Sequence, residues 1–295
     1  MQHILLLIAG GRSIADLPEF VREMIEWPGV AGTPRWLAPG KACELPLEEG
    51  FEADVEARLR KRLEGLPIDM AVLAAAGRRK RLLIADMDST VIQQECLDEI
   101  ADVAGIGTQI AAITERAMRG ELDFETALKE RIGLLRGFPA TALQSVLDER
   151  ISLMPGAKTL TATMAKHGAR TVLVSGGFKF FTGAVARRAG FDADYANDFL
   201  FEAGAIAGVR EPILGRDAKL AAMQAEAASL GIALGDVIAV GDGANDLAML
   251  KAAGLGVAYH AKPVVAEQAH VRIDHNDLTA LLYLQGYSLE DFATA

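Results

Sequence analysis

Short apolar runs recur along the chain at residues 4–9, 68–74, 82–85, 171–174, 237–240 and 255–259, each too brief for a buried helix and each bounded by polar or turn-forming residues. Runs of this kind read as buried strands. Between the first of them the pattern is mixed. Residues 3–9 predict a strand and Gly10-Gly11 a turn. Residues 17–27 carry Leu17, Val21, Met24 and Ile25 at helical spacing and stop at Pro28-Gly29. Two extended pieces follow at 33–38 and 41–47 around a Pro39-Gly40 turn, then a charged amphipathic helix at 51–66 and a last strand at 68–74. The order is βαββαβ, which predicts a small α+β sheet with helices on one face.

The second part begins at 82–85, an unbroken apolar strand buried on both faces. Residues 95–153 then read as helix almost throughout, in pieces 95–104, 108–119, 124–135 and 140–150 punctuated by Gly105, Gly107, Gly120, Gly137 and Pro139. This predicts a helical bundle inserted after the first core strand, a lid over the strand ends. Strand and helix then alternate: helix 157–167, strand 170–175, helix 180–189, a β region 195–209, helix 218–230, strand 237–240, helix 246–253 and strand 255–259. Strands separated by helices of this length imply an α/β, doubly wound parallel sheet. The basic cluster Arg78-Arg79-Lys80-Arg81 reads as a solvated linker, which divides the chain into residues 1–78 and 79–295, with the helical bundle at about 92–155.

Composition narrows the function. The 295 residues carry 30 Lys plus Arg against 40 Asp plus Glu, a formal charge of -10. There is no basic field to draw nucleic acid or an anionic membrane, so neither is an expected partner, and an anionic substrate needs a local positive site. The two cysteines, Cys43 and Cys96, stand far apart without metal-ligand spacing, as expected of reduced thiols in a cytoplasmic protein. Cys96 reads as a redox switch or as a buried helical thiol. The run at 4–9 is too short to span a membrane and has no basic segment before it, so it reads as a strand and not a signal peptide.

The chemistry gathers where strands end. The 82–85 strand runs into Asp86-Met87-Asp88-Ser89-Thr90. In extended chain, residues two apart point the same way, so Asp86 and Asp88 leave on one side, at the edge where open α/β sheets bind ligands. Two such carboxylates need a cation, or one holds a proton; an exposed acidic turn is the other reading. The 170–175 strand ends in Ser175-Gly176-Gly177, a hydroxyl beside backbone N–H groups that approach a phosphate without a Cβ in the way. Lys219 stands at the start of a helix, where ammonium and helix dipole act on one anion, or where it is a surface lysine. The 237–240 strand runs into Gly241-Asp242-Gly243-Ala244-Asn245-Asp246, again carboxylates released at a strand end.

Taken in order, Asp-x-Asp-x-Thr, Ser-Gly, Lys and Gly-Asp-x-x-x-Asp resemble the haloacid dehalogenase (HAD-like) superfamily from Arg81 to about Asp277. The stretches Asp86 through Glu95 and Gly241 through Asp246 resemble its phosphoserine phosphatase family, and the N-terminal order is similar to an ACT-like regulatory or dimerisation domain. The resemblance implies hydrolysis of O-phospho-L-serine in serine biosynthesis, with Asp86 as nucleophile and Asp88 as general acid and base. It implies Mg²⁺ held by Asp86, the Asp88 main-chain carbonyl and Asp242. Ser175, Gly176, Lys219 and Asn245 would bind the phosphoryl group, with Asp246 supporting Lys219 or the metal loop. Glu95 would meet the substrate ammonium and Arg131 its carboxylate, while Met118 and Phe124 line the pocket. A homodimer is a further expectation. The alternatives are transfer of the phosphoryl group from phosphoserine to another alcohol such as homoserine, hydrolysis of another small phosphomonoester, and an amino-acid-binding module without turnover.

Overall fold

The structure is a computed structural model describing residues 2–11, 17–27, 29–49, 53–215 and 217–294, without the side chains of residues 53–55 and of Met118. The first part of the chain forms β1 (His3–Ala9), α1 (Leu17–Ile25), β2 (Arg35–Ala38), β3 (Ala42–Pro46), α2 (Ala53–Arg62) and β4 (Ile68–Ala74). These strands make an antiparallel sheet in the order β2-β3-β1-β4. α2 stops short of the expected residue 66 because the chain turns through Gly65 at φ 80°, a left-handed conformation that favours glycine.

Alternation in β1 explains why it is apolar throughout. Leu5, Leu7 and Ala9 pack with Leu17, Phe20 and Met24 of α1 and Leu59 of α2. Ile4, Leu6 and Ile8 point the other way, into the large core that also holds Tyr259, Ile273 and Leu281. The helices therefore cover one face, as expected, and the C-terminal part of the chain covers the other.

The second part continues with β5 (Leu82–Ala85) and four helices, α3 (Cys96–Ala104), α4 (Gly107–Met118), α5 (Phe124–Leu134) and α6 (Ala140–Glu149). It proceeds through α7 (Ala157–Lys166), β6 (Arg170–Phe178), α8 (Lys179–Ala189) and β7 (Ala193–Asn197) to a hairpin of β8 (Phe199–Glu202) and β9 (Ala205–Val209). It ends with α9 (Ala218–Ser229), β10 (Val237–Gly241), α10 (Leu247–Ala252), β11 (Leu255–Tyr259), α11 (Pro263–Ala266), β12 (Val271–Ile273) and α12 (Ala280–Leu284). The six-stranded sheet has the order β12-β11-β10-β5-β6-β7 and every pair is parallel. Leu83, Ala85, Leu173 and Val240 face a core with α7, α8 and α12. Leu82, Ile84, Val172 and Ala239 face one with Met223 of α9, Met249 of α10 and Val265 of α11. Helices on both faces make the sheet doubly wound, as the alternation predicts. From β5 the chain continues to β6 on one side and later to β10 on the other, so a crevice opens beyond the C-terminal end of β5.

The cap helices α3–α6 sit over that crevice. Their entry and exit are tied by Gln93 N to Ser152 O at 3.1 Å and Met154 N to Val91 O at 2.8 Å. The β8–β9 hairpin clasps them from the side, through Gly137 N to Ile206 O at 2.8 Å and Ile206 N to Phe138 O at 2.9 Å. Among the described residues no helix is long and apolar enough to cross a membrane.

β6 runs on to Phe178 and does not stop at residue 175. The basic cluster is only in part the solvated linker expected, because Arg79 and Arg81 stay exposed while the two sheets are packed together at Arg78. Arg78, its side chain 11% exposed, meets Glu44 of β3 at 2.6 Å; Arg79 lies 4.3 Å over the Tyr287 ring; Lys80 Nζ donates to Gly235 O at 2.8 Å. Nearby, buried Asp69 of β4 accepts from Asp274 N at 2.8 Å, His275 N at 3.2 Å and Asn276 Nδ2 at 2.7 Å. Asp69→Ala strands those donors away from water, and the expected loss is about 2–4 kcal/mol of stability in urea denaturation. A change below about 0.5 kcal/mol would show that the seam does not contribute to folding.

Candidate active site

The site is built on the ends of β5, β6 and β10. Asp86 follows β5 and remains in register with its neighbour, its N–H donating to Val240 O at 3.0 Å. Beyond it the chain turns sharply. Val91 N and Ile92 N both donate to Met87 O, at 2.9 and 3.0 Å, and Ser89 takes a left-handed φ of 54°. This turn, not the alternation of an extended strand, aims Asp88, whose Oδ1 accepts from Cys96 N at 2.9 Å and whose Oδ2 accepts from Ser175 Oγ at 3.1 Å. Thr90 is fully buried beneath the turn, its Oγ1 3.5 Å from Asp242 Oδ1. Thr90 closes the Asp-x-Asp-x-Thr motif from beneath.

Lys219 is the positive centre. It is 4% exposed, and its Nζ lies 2.6 Å from Asp86 Oδ1 and 2.5 Å from Asp246 Oδ1. Burial alone would lower its pKa, yet Asp86 and Asp246 hold it above the usual lysine value. The other Asp246 oxygen accepts from Gly243 N at 3.0 Å, so both oxygens of this fully buried carboxylate are engaged. The glycines of the motif are required by packing: a Cβ on Gly241 would run into the Asp246 side chain, and one on Gly243 into Asn245.

Carboxylate outnumbers ammonium here. Burial, with Asp246 beside it, pushes Asp86 well above the usual carboxylate range while Lys219 opposes the shift, and burial and Asp246 push Asp242 upward in the same way. Carboxylate oxygens of Asp86, Asp242 and Asp246 lie within 4.8 Å of one another. With Asp246 taken up by Lys219 and Gly243, Asp86 and Asp242 are the pair left to a cation, and their all-oxygen chemistry suits a hard divalent ion.

These groups floor a cavity of about 350 Å³ whose roof is the cap. Asp86, Asp88, Ser175, Gly176, Asp242 and Asn245 line it from below; Glu95, Phe124, Leu128 and Arg131 line it from above. Lys219 reaches it through a recess shared with Phe124, Ser175, Gly176 and Asn245. Phe124 covers the glycine loop, since a Cβ on Gly176 would lie 3.1 Å from its ring. Glu95, exposed at the N-terminus of α3, accepts from Ser89 Oγ at 2.7 Å; partial desolvation at the cavity mouth and the Asp88 charge raise its carboxyl above the usual range. Arg131 is half-buried on α5, held by Nε to Ala127 O at 3.2 Å, with burial lowering its pKa against the pull of Asp98 and Glu95. An acid and a guanidinium thus share one roof above the carboxylate floor. Met118 closes α4, and its side chain lies outside the described residues. Lys262, exposed at the start of α11, also borders the cavity and carries no motif by which it could have been found.

A second cavity of about 300 Å³ lies between α2–β4 and residues 272–275. Arg60 and Arg272 on its walls are paired with Glu56 and Asp274.

The chain is similar to several known proteins. The family model described as haloacid dehalogenase-like hydrolase matches residues 83–251. A phosphoserine phosphatase of Haemophilus influenzae is 47% identical over 235 residues, 79% of this chain and 72% of that protein. The crystal structure of a HAD family hydrolase from Salmonella enterica serovar Typhi superposes with a TM-score of 0.86 at 34% identity, covering 96% of this chain and 98% of that one. A phospho-aspartyl intermediate analogue of phosphoserine phosphatase superposes with a TM-score of 0.64 at 36% identity, over 70% of this chain and 98% of that one.

Proposed function

The chain belongs to the haloacid dehalogenase-like hydrolases, and from that premise we propose that it is a phosphoserine phosphatase, releasing L-serine and phosphate from O-phospho-L-serine through an aspartyl-phosphate. The observation that carries the substrate is the presence of Glu95 and Arg131 together in the roof of a cavity whose floor holds Asp86, with Lys219 2.6 Å from Asp86 in the adjoining recess. An amino acid bearing a phosphate needs an anion, a cation and a phosphoryl site within one small volume, and this cavity offers all three.

In this reading the Asp86 carboxylate attacks phosphorus and forms a bond to it as the bond to the serine oxygen breaks. Asp88, oriented by Cys96 N and Ser175 Oγ, gives a proton to the departing oxygen and later takes one from the water that cleaves the aspartyl-phosphate. Lys219, Ser175, the Gly176 N–H and Asn245 meet the phosphoryl oxygens, fixed donors placed where negative charge accumulates. Asp246 holds Lys219 in place. Asp86, Asp242 and the Asp88 main-chain carbonyl would hold Mg²⁺. When bound, Mg²⁺ offsets the excess carboxylate charge, keeps Asp86 ionised and draws charge from the phosphoryl oxygens. Phe124 and Leu128 exclude water while the cap is closed.

We read residues 1–78 as an ACT-like unit and 79–295 as the phosphatase unit, with its cap at about 92–155. The βαββαβ order and the β2-β3-β1-β4 strand order support that reading.

The test is phosphate release from L-phosphoserine beside a panel of small phosphomonoesters, with Mg²⁺ and with chelator. Metal-dependent release strongest from L-phosphoserine is expected; equal rates on esters lacking the amino and carboxylate groups would remove the substrate assignment. Arg131→Ala should cost about 2–5 kcal/mol in kcat/KM on phosphoserine, through loss of a desolvated bidentate contact, and far less on phosphoethanolamine, which has no carboxylate. Equal losses on both would take Arg131 out of substrate recognition.

A further inference from the structure

β6 and β7 fall out of step beside the phosphoryl site. Val174 pairs with Tyr195 and Phe178 with Asn197, so β6 advances from 174 to 178 while β7 advances only from 195 to 197. Three residues, Ser175-Gly176-Gly177, stand opposite the single Ala196, two more than the ladder can pair. A bulge of this kind turns its side chains and peptides out of the ladder and into the cavity. Peptide groups released in protected surroundings need other partners.

Asn197 supplies one. It is 3% exposed at the end of β7, and its Nδ2 donates to Gly176 O at 2.9 Å. Its Oδ1 accepts from Leu214 N at 2.6 Å, and because a backbone N–H only donates, this contact sets which way the amide faces. The Gly176 carbonyl and the Gly177 N–H belong to one planar peptide, so holding the first orients the second. Gly177 N donates to Ser175 Oγ at 2.9 Å, and Ser175 Oγ donates to Asp88 Oδ2 at 3.1 Å. A continuous run of hydrogen bonds thus leads from the Asn197 amide through the glycine peptide to the serine hydroxyl and Asp88. At its other end Asn197 holds Leu214, which shares with Gly176, Ser175 and Lys219 the recess leading to the cavity.

We propose that Asn197 is a positioning residue for phosphoryl transfer: its amide replaces the missing ladder partner of the β6 bulge and so fixes the Gly176–Gly177 peptide and the segment before α9. It touches no substrate atom. Its effect is to keep Ser175, the Gly176 N–H and Lys219 converging on one phosphoryl group, with Asp88 oriented above them. This inference rests on the phosphatase reading of the site but not on the identity of the substrate.

Two variants separate the contacts. Asn197→Ala removes both; Asn197→Asp, assayed at a pH where its carboxyl is ionised, retains an oxygen for Leu214 N but has no donor for the Gly176 carbonyl. Both should lower kcat by about 10- to 100-fold, the scale expected when reacting groups shift by a fraction of an ångström to one ångström. The loss should be the same on L-phosphoserine and on p-nitrophenyl phosphate, and KM for phosphoserine should stay within about threefold, because the cap contacts are untouched. Ser175→Ala combined with Asn197→Asp should cost less than the product of the single losses, since both act through one peptide. Wild-type kcat in Asn197→Asp would overturn the proposal by leaving only the Leu214 contact important; so would a fully multiplicative double variant, or a loss confined to phosphoserine. If Asn197→Ala does not fold, Asn197→Asp and the double variant decide the matter. Wild-type protein that cleaves p-nitrophenyl phosphate but not phosphoserine would count against the substrate assignment alone and leave the Asn197 comparison valid.

Discussion

Asp86→Asn should abolish turnover, lowering kcat by about 10⁴- to 10⁶-fold, the range found when a nucleophile is removed from an otherwise intact site. An amide of the same shape still offers an oxygen to Met87 N, which Asp86 Oδ1 meets at 2.8 Å, and to Lys219. What it lacks is the charge needed to attack phosphorus. Stability in the absence of metal should be unchanged or higher, because burial and the neighbouring Asp246 already disfavour the charged form of Asp86. Acid quenching with labelled phosphoserine should trap phosphoprotein from the wild type and none from the variant. Labelling of Asp86→Asn at wild-type level would move the nucleophile elsewhere.

Lys219→Met should damage both activity and folding. The ammonium lies between two buried carboxylates, and removing one partner of a buried pair typically costs about 3–5 kcal/mol because the charge left behind has no solvent. The linear side chain of Met replaces the stem with little change in volume, so the loss reports charge and not packing. Loss of a fixed positive group at the phosphoryl site should also lower kcat by about 10²- to 10³-fold. Urea denaturation and steady-state kinetics measure the two effects separately. A variant as stable as the wild type would mean that Asp86 and Asp246 are neutral in the folded protein without it.

Several features were legible in the chain itself. Asp86, Asp88, Ser175, Lys219, Asp242 and Asp246 occupy strand ends or helix starts, and those positions follow from apolar runs interrupted by glycine and aspartate. The cap helices end within a residue or two of their expected bounds, because Gly105, Gly120 and Gly137 stop them with left-handed backbone at φ 69°, 78° and 86°. Other features carried no local signal. β12 and α12 are only a few residues long, too short for a periodic pattern to distinguish. Asn197 lies in a stretch that reads simply as β, and Lys262 just before a helix of four residues. Arg78–Arg81 reads as solvated on charge alone, and only the arrival of Glu44 and Tyr287 from distant parts of the chain gives Arg78 and Arg79 these partners.

The sequence by itself determined the alternating elements, the inserted cap and the placing of carboxylates, a serine and a lysine at strand ends and helix starts, since these depend on spacing and residue chemistry within short stretches. Tertiary structure alone decided three further matters. It set β1 between its own helices and the C-terminal segment, a burial on both faces that requires residues hundreds of positions apart to meet. It placed Lys219 between Asp86 and Asp246, fixing the charge balance of the site through burial that no single segment possesses. And it put β6 and β7 out of register, which leaves a carbonyl without a ladder partner and gives Asn197 its place. Local pattern specifies what each segment is; long-range packing specifies which polar groups lose water, and so which of them must find one another.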